Sequence, residues 1–224
     1  MRKPRGIAPK TNPAFAVVVD GETEVWYLEM LKRNERGIRV NIEPKIPNKK
    51  SIEAQYNQVR ALSNEEYTRV FWIVDFDTIA KEAREAVKGK KSPVETFKVC
   101  RAKLAKYKNV VVVVNNPCLE FWFLLHFEKT QKCFGSCTGA ETQLKTHLND
   151  YEKTQKYFKK QDDDIYLKLK PDLKTAVENS LALGRFDAEN PTKAMCEMAL
   201  LFETPELKAL LGNDTEQRAN SLLK

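Results

Sequence analysis

Three groups of acids follow short apolar runs in this chain: Asp20-Gly21-Glu22-Thr23-Glu24, the pair Asp75-Phe76-Asp77, and Glu120. Carboxylates brought together from separate loops form a cage of hard oxygens suited to Mg²⁺ or Mn²⁺. With a phosphate present, such a cation polarises the scissile phosphodiester and activates a water, so no protein nucleophile is needed. In an extended segment Asp75 and Asp77 share one face, because side chains alternate with period two. The expected ligands are Asp20, Asp75, Asp77 and Glu120, with Glu24 supporting them, and all five count as candidate catalytic residues. Each acid alone also reads as a turn or helix-cap residue. At three strand ends of one sheet, however, such acids repel one another, a cost that a cation removes.

The elements that would position these acids are legible in the apolar pattern. Ala14–Val19, Val40–Ile46, Val70–Val74 and Val110–Val114 read as strands, most of them apolar throughout. Helices are expected between them, over Thr23–Arg33, over Ile52–Leu62 behind a Ser51 cap, and in the basic region after Asp77. Buried strands alternating with helices imply a mainly parallel, Rossmann-like α/β sheet covered on both faces. In such sheets ligands gather at the carboxyl ends of the strands, where the acids lie. Beyond Glu120 the pattern turns helical, over Leu119–Phe127, Ala140–Leu148, Asp172–Leu183, Thr192–Phe202 and Pro205–Leu211. The Lys- and Asp-rich stretch Tyr151–Lys170, with its Asp162–Asp164 triple, reads as a mobile, solvated loop.

The net charge of +7 is localised: Lys81–Lys108 carries ten basic residues against three acids. Its position directly after Asp77 suits a nucleic-acid guide, for which Lys81, Arg84, Lys88, Lys90, Lys91 and Arg101 are the candidates. The plainer reading is a solvated helix face. The longest apolar runs, Val110–Val114 and Phe121–Leu125, are far short of a membrane span of roughly 20 residues, and a cytoplasmic protein with no membrane partner is expected. Five cysteines, an odd number, are expected mostly as reduced thiols, with Cys118 packing around Glu120. His126, Cys133, Cys137 and His147 lack a zinc-ligand spacing. Trp26, Phe121, Trp122 and Phe123 are expected in the core.

The motifs Val19–Leu31, Phe71–Asp77, Asn116-Pro117-Cys118-Leu119-Glu120-Phe121-Trp122 with its continuation to Phe127, and Asn190–Ala194 together resemble the RloB-like proteins. The resemblance runs over roughly residues 14–202, and its third motif is the most specific. It implies a Toprim-like fold over 14–128, preceded by a basic tail (1–13) and followed by a helical C-terminal extension (129–224) packed on the core. In the family pattern Asp20 takes the place of the usual first-strand Glu, Glu24 is the acid on the following helix, Asp75 and Asp77 are the metal pair, and Glu120 is an added acid. The resemblance further implies a nuclease acting on RNA or DNA in antiviral defence or abortive infection, beside an ABC- or AAA-type ATPase. Two rivals stand next to it. One is a catalytically degenerate module that only binds nucleic acid or a partner. The other is a haloacid-dehalogenase-like phosphatase, whose spacing is not met because Thr78 follows Asp77 directly and Asp20-Gly21-Glu22 has no role there.

Overall fold

The computed structural model describes residues 13–48, 50–85, 92–187, 189–190 and 193–211. The expected strands form: β1 (Ala14–Val18), β2 (Asn41–Lys45), β3 (Arg69–Asp75) and β4 (Val110–Asn116). They lie in one sheet in the order β2-β1-β3-β4, all parallel, with a fifth strand, β5 (Met195–Cys196), antiparallel on the β4 edge. The sheet is flanked by helices, giving the mixed α/β, Rossmann-like class anticipated from the alternation. Phe15–Val19 and Val70–Trp72 are wholly buried, as expected for strands covered on both faces.

Order reverses at β1. The chain moves outward from β1 to β2 and then returns across β1 to place β3 on its other side. The loops leaving β1 and β3 therefore diverge to opposite faces and leave a crevice between their carboxyl ends. Helix α1 (Glu22–Asn34) starts after β1, α2 (Ile52–Leu62) precedes β3, α3 (Phe76–Glu85) follows β3 without a loop, and α4 (Pro93–Leu104) precedes β4. Helix α2 occupies the expected range, with Ser51 Oγ accepting from the Ala54 amide at 3.4 Å. Helix α5 (Leu119–Leu124) begins just past β4, and the peptide bond Asn116–Pro117 between them is cis.

The C-terminal half departs from the sequence expectation in three places. The segment 151–170 is not a solvated loop. It folds into α7 (Gln155–Phe158) and α8 (Ile165–Leu169), which pack on α1 and bury Tyr151, Phe158, Ile165, Tyr166 and Leu169. Apolar and aromatic residues interleaved among its charges supply the burial, and the caps Thr154 and Asp164 start the two helices. Asp164 itself is buried, accepting from the Leu167 amide and pairing with Arg33. The second departure is in the stretch expected as a Thr192–Phe202 helix, which contains β5 and then the short α10 (Ala199–Phe202). Glu197 enforces that change: its amide donates to the Val114 carbonyl at 2.9 Å and its Oε2 accepts from the Val114 amide at 3.1 Å, so the residue continues the ladder beyond β5.

The third departure concerns cysteine: Cys118 and Cys137 form a disulfide, where free thiols were expected. Cys137 opens α6 (Cys137–Leu144), which packs on α5, so chain proximity that no spacing rule reveals brings the two sulfurs together. Helix α9 (Leu173–Leu183) closes the layer behind α5, and residues 205–211 are helical as expected. Phe121, Trp122 and Phe123 are fully buried, while Trp26 is only partly so, its ring edge-on to Phe158. No described helix is long and apolar enough to cross a membrane.

Phe158 is in ring contact with Trp26, Phe123, Tyr151 and Tyr157. Phe158→Ala should therefore destabilise the whole protein by about 3–5 kcal/mol, measured by urea unfolding. A loss of under about 0.5 kcal/mol, the range of surface substitutions, would mean that 151–170 is not part of the core.

Candidate functional site

The crevice at the β1/β3 reversal holds the acids. Asp20 leaves β1, Glu24 lies in the first turn of α1, Asp75 ends β3, Asp77 lies in the first turn of α3, and Glu120 lies in the first turn of α5. Asp75 and Asp77 do not share an extended segment as expected. Helix α3 begins at Phe76, and the Asp77 amide is tied to the Pro117 carbonyl at 3.1 Å, which turns Asp77 toward the β4–α5 connection. The partial positive charge at three helix N-termini offsets part of the repulsion among Glu24, Asp77 and Glu120.

A cleft of about 590 Å³ opens over this group, lined by Asp20, Glu24, Trp26, Asp75, Thr78 and Lys153 among others. A smaller recess of about 170 Å³ shares Asp20 and Asp75 with it and runs toward Gln55 and Trp72. Glu24 and Glu120 are almost completely buried, at 3% and 1% exposure. Burial pushes the carboxyl pKa of Asp75 well above its ordinary value, and neighbouring Glu24, Glu120 and Asp77 push it further. Glu24 is raised by burial and by Glu120, while Asp20 is raised by burial and by Asp77 against the pull of Lys50. Asp75 Oδ1 is buried and has no hydrogen-bond partner. An acceptor left bare at the centre of a carboxylate cluster fits a site for a divalent cation, as does the all-oxygen donor set.

Several supports of this centre were not visible in the sequence. Lys153 Nζ pairs with Glu120 Oε1 at 2.8 Å, and Tyr151 Oη donates to the same oxygen at 3.0 Å. Burial alone would lower the Lys153 pKa, but Glu120, Asp75 and Glu24 outweigh it and hold the ammonium charged. Both side chains come from the segment expected as a loop, so only its apolar residues hinted that it docks here. Gln55 positions Asp20. Its Oε1 accepts from the buried Trp72 indole at 2.7 Å, which fixes the amide orientation because an indole N–H only donates, and its Nε2 then reaches Asp20 Oδ1 at 3.3 Å. Gly21 leaves room for Glu24: a Cβ there would stand 3.1 Å from Glu24 Oε2.

The basic candidates divide. Lys81 and Arg84 are exposed on α3, which starts at the acidic centre. Lys88, Lys90 and Lys91 lie outside the described residues. Arg101 is turned away from solvent phosphate: its guanidinium donates to the Phe186 carbonyl at 2.9 Å, lies over the Phe186 ring and faces buried Glu197 at 3.5 Å.

Sheet order, strand-end acids and cleft define a Rossmann-like α/β protein with an acidic centre at its topological switch point. A family model for RloB-like proteins matches residues 15–204, and the chain belongs to that family. No curated protein and no solved structure matches it.

Two outcomes follow from the geometry. Gln55→Leu strands the Trp72 indole N–H in the core, so it should cost about 1–3 kcal/mol of stability by thermal or urea unfolding; an unchanged midpoint would show that water or another group replaces the amide. Because the carboxyl pKa of Asp75 is raised in the folded state, the metal-free protein loses stability as pH rises from the ordinary value of 3.8 through the raised one. Asp75→Asn should thus melt above wild type near neutral pH, by about 2–4 °C for each kcal/mol of repulsion removed, with the gap closing toward pH 3.8. Equal melting temperatures at all pH values would refute the repulsion.

Proposed function

We propose that this protein is a Mg²⁺- or Mn²⁺-dependent phosphodiesterase of Toprim-like architecture that cleaves RNA or DNA, and that it serves as an antiviral-defence effector beside an ABC- or AAA-type ATPase. The observation carrying this reading is the clustering of Glu24, Asp77 and Glu120 about Asp75, with Asp20, Glu24 and Asp75 lining one cleft and the Asp75 Oδ1 acceptor unpaired. The defence role and the ATPase partner rest on the family resemblance alone.

Asp75, Asp77 and Glu120 would hold the cation, with Asp20 as a further ligand or the group that orients the attacking water. When bound, the cation would polarise the phosphodiester and lower the pKa of a water. Glu24, held by Thr23 Oγ1 at 3.1 Å, keeps the inner wall of the cleft acidic. Lys153 pairs with Glu120 and presents a positive charge toward a phosphate entering the cleft. Trp26 at the rim offers an aromatic edge, and Lys81 with Arg84 offers a cationic approach along α3.

A second reading is favoured by one contact. Lys153 already neutralises Glu120 from within the chain, which suits a module that grips nucleic acid or a partner with no metal. The two separate in one experiment. Metal binding by calorimetry, run beside cleavage of tRNA, single-stranded DNA and duplex DNA, should show Mg²⁺ or Mn²⁺ uptake and EDTA-sensitive cleavage. Asp75→Ala with Asp77→Ala should abolish both. Nucleic-acid binding with no metal uptake and no cleavage would select the binding module.

Charge reversal at Lys81 and Arg84 together should weaken nucleic-acid binding and flatten its dependence on log salt by about 1 for each phosphate that is no longer neutralised. An unchanged affinity and slope would remove α3 from the interface. The ATPase partner predicts co-purification under native conditions, and separate elution of the two proteins would count against it.

A further inference from the structure

Glu120 has two differently surrounded oxygens. Oε1 faces Tyr151 and Lys153 on the cleft side, whereas Oε2 lies 2.9 Å from the Cys137 sulfur on the other side. That sulfur is bonded to Cys118 and carries no proton to donate, so the contact is not a hydrogen bond in the oxidised state. Ligand atoms of Cys118, Glu120 and Cys137 all lie within 4.8 Å of one another, and the two Cα atoms are 5.5 Å apart. The backbone around them is pinned: the Cys137 amide donates to Asp77 Oδ2 at 3.0 Å, and Cys118 is the N-cap residue of α5.

From this arrangement we propose that Cys118, Cys137 and Glu120 form a binding site for a borderline-soft divalent cation of the Zn²⁺ class, open when the disulfide is reduced. Two thiolates and one carboxylate oxygen are a zinc-type donor set, with a fourth position left for water, and sulfur selects Zn²⁺ over the Mg²⁺ that an all-oxygen cage takes. A dithiol reductant supplies two electrons and two protons to the disulfide and leaves as its own disulfide. Cation uptake then releases the two thiol protons to solvent. Rotation of the two side chains separates the sulfurs enough to share one ion at about 2.3 Å each while the helix ends stay in place. The inference shares Glu120 with the phosphodiesterase reading but does not rest on it, because it uses Oε2 and the sulfurs and leaves Oε1 and Asp75 to the cleft.

The test uses the full chain, purified with a dithiol reductant under inert gas or left oxidised, and titrated with Zn²⁺ and with Co²⁺. Native mass spectrometry should find one more tightly held Zn²⁺ on the reduced chain than on the oxidised chain, the oxygen cage of the cleft being present in both. Co²⁺ should give a thiolate-to-metal charge-transfer absorption in the reduced protein only. Cys137→Ser, at a half-buried position, should abolish that absorption while keeping a cooperative melt, and Cys118→Ser should do the same if it folds. Glu120→Gln should weaken binding at least about tenfold. Cys133→Ser, at an exposed free cysteine, should change nothing. Asp75→Asn should keep the sulfur-bound ion even though it disables the acidic cleft. The proposal fails if reduced wild type takes up no more Zn²⁺ than oxidised wild type, if Cys137→Ser retains the charge-transfer band, or if the ion is lost with Asp75→Asn or Cys133→Ser.

Discussion

Carboxylates repel one another, and here five are drawn together around Asp75, two of them almost wholly out of water. Everything around the centre is arranged to offset that cost. Three of the acids sit in first turns of helices, where unpaired amides carry partial positive charge. Lys153 and Tyr151 reach in from the C-terminal half to share one oxygen of Glu120. Gln55, locked by the Trp72 indole, donates to Asp20. Among the buried side-chain oxygens of these acids, Asp75 Oδ1 is the one left without a partner, and burial pushes the Asp75 carboxyl pKa well above its ordinary value. The fold is thus best read as scaffolding for charge that the chain itself only partly balances.

Much of that scaffolding was legible from residue types. Runs such as Phe71–Val74 and Val110–Val114 are apolar at every position, a pattern that suits a covered parallel strand, and the acids behind them mark the strand ends. Ser51 before Ile52 fixes α2 to the residue, because a cap states where a helix must begin. The carboxylate cluster could be assembled on paper because all of its members follow strands of one sheet.

What stayed hidden depends on contacts between distant parts of the chain. Within the stretch spaced for a helix over 192–202, residues 195–197 instead continue the sheet and the helix is confined to α10, because Glu197 satisfies the Val114 backbone there. Lys153 is one lysine among many in its segment, and the docking of Tyr151 on Phe123 of α5 and of Phe158 on Trp26 of α1 aims it at Glu120. The pairing of Cys118 with Cys137 follows from α6 packing on α5, 19 residues along the chain. Arg101 looked like part of a basic strip, yet the Phe186 carbonyl and Glu197 claim its guanidinium. Local propensity has no access to any of these.

Strand β5 has only two residues, but it lies along the outer edge of β4 and Glu197 extends that cover to Val114. Uncovered, the end of β4 from Val114 to Asn116 would present open backbone groups of the kind on which other chains template. A fragment cut after residue 128 would keep every strand-end acid and look, by its sequence, like a complete sheet domain. It would also lose its edge guard and the ammonium that quiets Glu120 in the same stroke. The C-terminal half is therefore what keeps the acidic half both closed to edge pairing and charge-tolerant, and the two cannot be separated as an evolutionary or engineered module without replacing both services.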